Sequence, residues 1–141
     1  MTNLENYRDQ AALIGRIFYA AMLLLFGWGK ITAFAGTVDY MSSLGLPAPS
    51  LVTVIAIIVE IGGGLLILIG YQTRVVALGL AIYVLVTAFI GHFQLGDPDQ
   101  FQHFMKNMAI TGGSLAFVAF GAGAYSLDAR KLDASKQVRN L

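Results

Sequence analysis

The sequence predicts an all-α integral membrane protein, built as one domain of four transmembrane helices with both termini in the cytoplasm. Two observations predict the membrane class. Hydrophobic residues make up 57% of the 141-residue chain and charged residues only 12%, whereas soluble domains carry roughly twice that share of charge. In addition, residues 40–59, 75–96 and 107–127 contain no Asp, Glu, Lys or Arg. Each stretch can cross a bilayer, which takes about 20 apolar residues.

The single domain, residues 1–141, is divided into elements by its apolar stretches. The expected helices are about residues 11–29, 50–69, 75–93 and 106–123, and a polar C-terminal tail follows over 128–141. Pro47 and Pro49 indicate a break in helical structure before the second helix. Asp97-Pro98-Asp99 indicates a turn after the third. A very short connection at Gly70 makes the second and third helices antiparallel neighbours.

Two further segments concern the start of the chain and its first loop. The loop over residues 31–49 is too long for a hairpin turn, and its aromatic-polar part, Phe34–Met41, predicts a short helix in the membrane interface. We expect the first apolar stretch to be a retained helix, because Glu5, Arg8 and Asp9 before it are mixed in sign. No cleavage site of the A-x-A type follows it.

The distribution of basic residues predicts the orientation. In a four-span topology the N-terminus, the second loop and the C-terminus share one side of the membrane. Seven basic residues belong to that side: Arg8, Arg16, Arg74, Arg130, Lys131, Lys136 and Arg139. The other side has only Lys30 and Lys106. Because basic residues concentrate in cytoplasmic loops, both termini are expected in the cytoplasm.

Composition also excludes several classes of function. A net charge of +1 without any run of Lys or Arg argues against binding to nucleic acid. The absence of cysteine excludes disulfides, thiolate nucleophiles and Cys-ligated metal or iron–sulfur sites. His92, Asp97, Asp99 and His103 match no spacing known for metal ligands, so no metal site is predicted. Redox chemistry would therefore need a bound cofactor or substrate.

Glycine pairs and a glycine triplet lie within the apolar helices. Helices in lipid associate by close packing, which small residues permit. We therefore expect Gly63, Gly64, Gly112 and Gly113 at helix contacts, and Gly27 also belongs to this class.

Glu60 is the most informative polar residue, because it lies near the middle of the second helix. A charged side chain there costs at least ~2.5 kcal/mol and rarely faces lipid, so Glu60 should face the bundle interior. Its expected partner is Arg16, with an outer lysine as the alternative. Two interpretations stay open: such a pair fixes the register of the helices, or it takes part in the function.

A second polar group is predicted at the outer end of the bundle, where Lys30, His92, Lys106 and Asn107 meet. Together they describe a cationic vestibule that leads down to a buried carboxylate. The alternatives are that the lysines extend to the membrane interface and that His92 is a hydrogen-bonded structural residue. Thr111 and Ser114 continue from Asn107 as a polar seam, either for interhelical hydrogen bonds or for function.

Several motifs together resemble a known family. They are Arg16; Phe26-Gly27-Trp28-Gly29-Lys30-Ile31; Gly36-Thr37-x-x-Tyr40-Met41; Gly45-x-Pro47; Glu60-x-Gly62-Gly63-Gly64; Gly70-x-x-Thr73-Arg74; His92; Met105-Lys106-Asn107; Gly112-Gly113; and Gly121-Ala-Gly123-Ala-Tyr125-Ser126-Leu127-Asp128. In this order they are similar to the DoxX family of bacterial membrane proteins, over about residues 12–130. One departure is Ala122, where relatives often have proline.

The resemblance implies a four-helix protein of the bacterial inner membrane that works with quinones, since founding members are membrane subunits of quinone-linked sulfur oxidation. We therefore expect the membrane component of a quinone/quinol-linked oxidoreductase system. The expected catalytic residues are Glu60 and His92, and the expected substrate-binding residues are Arg16, Lys30, Lys106 and Asn107. No covalently bound cofactor is expected; quinone or quinol would be the substrate. Expected partners are membrane lipid and a redox partner protein or a second copy of the chain. The alternatives are a non-catalytic membrane subunit, a scaffold or a small-molecule permease.

Overall fold

The computed structural model describes residues 4–139 of the chain, with side chains over 7–135. Over this range the protein is entirely helical and contains no strand. The helices are α1 (Leu4–Thr32), α2 (Phe34–Ser43), α3 (Pro49–Ile69), α4 (Thr73–His92), α5 (Pro98–Phe120) and α6 (Leu127–Arg139). The all-α prediction is therefore confirmed.

Three of the described helices are long and apolar enough to cross a membrane: Tyr7–Thr32 within α1, then α3 and α4. The fourth expected helix, 106–123, is found as α5, which begins earlier, at Pro98, and ends at Phe120. Its early start follows from the Asp97 side chain, which accepts hydrogen bonds from the N–H groups of Asp99 and Gln100 and so caps the helix. The first turns of α5 are polar and lower the mean hydropathy of this helix. A fourth membrane span therefore stays a prediction.

The predicted tight connection between the second and third expected helices is confirmed. Gly70 ends α3 in the left-handed conformation, with φ of 67°. The Gly70 N–H donates to the carbonyl of Ile67, and the next N–H, of Tyr71, donates to that of Leu66. This pattern closes the last helical turn and reverses the chain, and glycine adopts the required φ without strain. Helices α3 and α4 are consequently antiparallel.

The bundle is held mainly by two antiparallel helix pairs, α1 with α3 and α4 with α5, joined through α3 and α4. A small buried core lies between them, formed by Leu23, Ile67, Ala77 and Leu80. Large apolar side chains point outward instead, for example Phe18, which is 73% exposed. An apolar exterior around a small core is expected of helices whose outer surface meets lipid.

Glycine positions confirm most of the packing prediction. A Cβ atom on Gly63 would lie 2.8 Å from Leu80 of α4, and one on Gly64 would lie 3.2 Å from Leu24 of α1. Gly27 is equally close to α3. The prediction is wrong for Gly112, which has no neighbouring atom within 4 Å of a Cβ position, because it faces away from the bundle.

The aromatic-polar segment of the first loop is the short helix α2, as predicted. None of its residues is buried. It packs against α3, and the hydroxyl of Tyr40 donates to the carbonyl of Gly91 near the end of α4, at 3.3 Å. Helix α2 thus lies across one end of the bundle.

The bundle has two chemically different ends. At the terminal end, the start of α1 meets the segment after α5, where Asp9 accepts a hydrogen bond from the Ala124 N–H at 3.0 Å. The α3–α4 turn lies at the same end, because Asp128 contacts it. At the opposite lysine end lie Lys30, α2, His92 and the first turns of α5. The N-terminal region, second loop and C-terminal segment therefore share one end, as the orientation argument requires.

Candidate functional site

A buried carboxylate with two polar partners forms the centre of the candidate site. Glu60 accepts hydrogen bonds from the Lys30 ammonium group through both carboxylate oxygens, at 2.9 Å to Oε1 and 2.8 Å to Oε2. The hydroxyl of Tyr83 donates to the same Oε1 at 2.8 Å. The Glu60 side chain is only 6% exposed, whereas that of Lys30 is 23% exposed. The polar triad of Lys30, Glu60 and Tyr83 thus reaches from the bundle interior toward the lysine end.

The sequence brings this triad together through a close approach of α1 and α3. A Cβ atom on Gly27 would lie 2.8 Å from Ile61 and 3.3 Å from the Cβ of Glu60, so only glycine fits without displacing α3. Lys30 follows Gly27 by three residues and therefore projects from the same face of α1. Tyr83 is brought in by α4, which Gly63 allows close to α3.

Arg16 is not the partner of Glu60, so the preferred expectation is wrong and its alternative, an outer lysine, is correct. Arg16 is fully buried, but its Nη1 donates to the carbonyl of Leu68 at 3.4 Å and its Nη2 to that of Tyr125. The physical reason is register. Because α1 and α3 are antiparallel, Arg16 lies beside Leu68, which is eight residues and about 12 Å along the axis from Glu60.

The two outer lysines meet over one aromatic ring. The ammonium group of Lys30 lies 5.9 Å from the ring centroid of Phe26, and that of Lys106 lies 5.5 Å from the same centroid. Both distances suit cation–π attraction. The expected proximity of Lys30 and Lys106 is therefore confirmed, and Phe26 is the residue that joins α1 to α5 at this point.

The two histidines continue the cluster away from Lys106. The Nζ of Lys106 lies 3.1 Å from the Nδ1 of His103, and the rings of His103 and His92 are stacked with centroids 5.0 Å apart. The Nδ1 of His92 lies 2.9 Å from the Oε1 of Gln100. Within the described residues, no group of three or more His, Asp or Glu lies close enough together to hold a metal ion. We call the set from Lys30 and Phe26 through Lys106 to His103 and His92 the lysine-end cluster.

The predicted polar seam of α5 divides into separate roles. Ser114 is fully buried and shares a hydrogen bond with the hydroxyl of Tyr19 on α1, so it has the interhelical role that was one of the two alternatives. Thr111 donates to the carbonyl of Asn107 within α5 at 2.8 Å. Among the described side-chain hydrogen bonds, none joins the amide of Asn107 to the lysine-end cluster.

Sequence reasoning did not assign a role to Tyr83, Phe26 or Gln100. Tyr83 gave a usable signal, because it is a residue with a polar hydroxyl inside the charge-free stretch 75–96. Phe26 and Gln100 gave none of their own, since an aromatic and an amide near a membrane interface are ordinary.

The terminal end is closed by the segment between α5 and α6. Asp128 accepts hydrogen bonds from the N–H groups of Gln72 at 2.7 Å and Thr73 at 2.8 Å, which caps the start of α4 from outside that helix. Burial raises the pKa of the Asp128 carboxyl. Hydrogen bonds from Thr73 and Gln72, together with the charge of Lys131, lower that pKa by more than burial raises it, so it lies below its ordinary value. The motif from Gly121 to Asp128 therefore anchors this segment, and Arg16 reaches its Tyr125 carbonyl.

Comparison with known proteins agrees with this geometry. The DoxX family profile matches residues 11–93, more than half of the chain and the part that supplies Arg16, Lys30, Glu60 and His92. The chain belongs to the DoxX family. It is 42% identical over 125 residues to the inner membrane protein YqjF of Escherichia coli strain K12, covering 89% of this chain and 95% of that protein. It is 41% identical over 129 residues to the inner membrane protein YphA of the same strain, covering 87% of this chain and 91% of YphA. No solved structure is significantly similar.

Family membership accounts for the location of the protein. Both E. coli relatives are inner membrane proteins, and the described part of this DoxX chain contains three helices able to cross a membrane. It is therefore a multi-pass protein of the bacterial inner membrane.

Proposed function

We propose that this DoxX protein is the membrane component of a quinone/quinol-linked oxidoreductase system and binds a quinone-like molecule at the lysine-end cluster. The observation that carries the proposal is the polar triad, a carboxylate inside the bundle that connects through Lys30 to an exposed cationic group. An ionisable residue at such a depth is a functional candidate by default.

The chemistry of the cluster suits a ligand with two ring oxygens. The Lys30 ammonium group has three N–H donors, and two hydrogen bonds to Glu60 leave one for a ligand oxygen. Lys106 supplies a second cationic donor, and the imidazole of His92 can donate or accept a hydrogen bond at the ligand. Phe26 is 42% exposed, so part of this aromatic side chain is accessible to a flat ring.

Reduction of a quinone to a quinol takes two electrons and two protons. In this proposal both electrons come from a redox partner protein. The Lys30 ammonium group, held by Glu60 and Tyr83, gives one proton to one ring oxygen, and the Lys106 ammonium group gives the second proton to the other ring oxygen. Both lysines then regain a proton from water at the lysine end. Arg16 takes no part at the ligand, since its guanidinium group is engaged with carbonyl groups at the terminal end. Asn107, which follows Lys106 in α5, keeps its expected role as a ligand contact in this proposal.

We further propose that α5 is the fourth span and that the terminal end is cytoplasmic. Helix α5 has 23 residues, which is sufficient for a bilayer, and it packs along α4. The excess of basic residues at the terminal end supports this orientation.

The test is a titration of the purified protein in lipid nanodiscs with a short-chain benzoquinone. We expect saturable binding that Lys106→Gln weakens by about tenfold, the effect of one charge-assisted hydrogen bond. The matched control is Lys131→Gln at the terminal end, which should bind like the wild type. If the wild type shows no saturable binding, or if both variants weaken binding equally, the proposal fails, and a non-catalytic subunit or scaffold becomes the better description.

A further inference from the structure

A cavity at the terminal end lies away from the lysine-end cluster. It is an open groove of about 660 Å³ between the first turns of α1 and α4 and the chain that follows α5. Three basic side chains line it: Arg8, Arg74 and Lys131. We call it the basic groove.

The two carboxylates that line the groove, Asp9 and Asp128, are both engaged with backbone N–H groups. Asp9 accepts the N–H of Ala124, and Asp128 caps the start of α4. Within the described side chains, the one ion pair closer than 4 Å is Lys30 with Glu60, so neither Arg8 nor Arg74 is paired there. The described lining of the groove carries three cationic and two anionic side chains, so its net charge is positive.

The basic groove also has an apolar side. Val75, Phe120 and Leu132 line it and are 68%, 74% and 61% exposed. Exposed apolar side chains of this size beside two arginines make the lining amphipathic. A soluble phosphate compound would use only the basic part of such a surface.

A second cavity extends the groove along the bundle. This furrow of about 340 Å³ shares Arg8, Phe120, Gly121 and Gly123 with the basic groove. It continues between α1 and α5 over the small side chains of Ala11, Ala12 and Ala116. The two cavities share part of their lining, so the basic groove continues into a mostly apolar furrow between α1 and α5.

We propose that the basic groove and its furrow form a binding site for an acidic phospholipid, with the phosphate held by Arg8 and Arg74 and an acyl chain lying over Ala116. Charge complementarity selects the headgroup, because basic pockets between membrane helices attract anionic lipid. The furrow selects a chain-bearing ligand over a free phosphate. This site is separate from the proposed quinone site and does not depend on it.

The experiment measures lipid binding to the delipidated protein in detergent by native mass spectrometry, with phosphatidylglycerol and phosphatidylcholine of the same acyl chains. We expect phosphatidylglycerol to bind at least fivefold more tightly, and Arg74→Gln to weaken it by about fivefold, the contribution of one basic residue. Arg8→Gln is a second variant with the same expected effect. Arg130→Gln is the matched control, because Arg130 is exposed but does not line the groove.

A second pair of variants tests the furrow without changing charge. Ala116→Leu narrows it and should weaken phosphatidylglycerol binding, whereas Ala119→Leu, on the exposed side of the same helix and outside the furrow, should not. Equal binding of the two lipids would overturn the proposal, as would equal losses in Arg74→Gln and Arg130→Gln. Glycerol phosphate that displaced the lipid at equal concentration, with no effect of Ala116→Leu, would also overturn it by identifying a simple phosphate site.

Discussion

The ammonium group of Lys30 lies within 2.9 Å of both carboxylate oxygens of Glu60, across the closest approach of α1 and α3. The two partners differ in exposure, since Lys30 is 23% exposed and Glu60 only 6%. Loss of either partner should therefore have unequal consequences. A lysine left alone can extend toward the interface, whereas a carboxylate left alone stays buried.

Lys30→Gln should lower the free energy of unfolding by about 1–3 kcal/mol, because it leaves the Glu60 carboxylate buried without its cation. Glu60→Gln should lower it by less. The double variant should be more stable than the sum of the two losses predicts, because it leaves no orphaned charge. Thermal unfolding in detergent measures all three. Arg16→Gln combined with Glu60→Gln is the control, and a recovery of stability there would contradict the observed pairing.

Tyr83→Phe should remove one hydrogen bond to Glu60 while keeping the aromatic packing. The expected loss of stability is about 1 kcal/mol, because the carboxylate keeps both contacts with Lys30. If the triad exchanges protons with a quinone, Tyr83→Phe should also change the proton uptake that accompanies ligand binding. Tyr125→Phe, at the terminal end and 56% exposed, is the control and should change neither quantity.

Gly63→Ala and Gly112→Ala introduce the same methyl group at two helical glycines, one at a helix contact and one away from it. A methyl group at position 63 would meet Leu80 at 2.8 Å, whereas at position 112 it would meet no atom within 4 Å. We expect Gly63→Ala to lower stability by about 1–3 kcal/mol through overpacking, and Gly112→Ala to be neutral or slightly stabilising. Equal unfolding temperatures for the two variants would disprove the assigned contact of Gly63.

Asp128 should make the stability of the protein depend on pH in the acidic range. Its folded pKa lies below the ordinary value of 3.8, so the carboxylate favours the folded state at pH above 3.8. That contribution, about 1 kcal/mol for a helix cap, should be lost as pH falls through the folded pKa. The difference in stability between wild type and Asp128→Asn should thus be constant at higher pH and shrink in acid. Asp133→Asn, at an exposed position in the same helix, is the control variant for the effect of removing one negative charge.

Cysteine labelling tests the proposed orientation, and the chain has no native cysteine. Gln102→Cys lies at the lysine end and Ser135→Cys at the terminal end, and both positions are exposed. In intact cells, we expect an impermeant thiol reagent to modify the cysteine at 102 and not the one at 135. The reverse pattern would place the terminal end outside the cytoplasm, and modification of both would exclude α5 as a span.

The membrane class and the positions of the long helices were determined by the sequence alone. Their cause is local, because a charge-free stretch of about 20 residues satisfies its backbone as a helix in lipid whatever surrounds it. The burial of Glu60 followed from the same reasoning, since the cost of exposing a carboxylate to lipid does not depend on the identity of its partner. The turn at Gly70 and the short helix α2 were likewise predictable from residues adjacent in the chain.

The partner of Glu60 was decided only by the tertiary structure. The expected depths in the membrane allow either Arg16 or Lys30 to reach Glu60. Which of them does so depends on the axial register between α1 and α3. That register is set by Gly27 meeting Ile61 and by Gly64 meeting Leu24, contacts between residues far apart in the chain. The same register carries Arg16 to the carbonyl groups of Leu68 and Tyr125. Composition and spacing determine which residues avoid lipid, whereas packing between helices determines which of them meet.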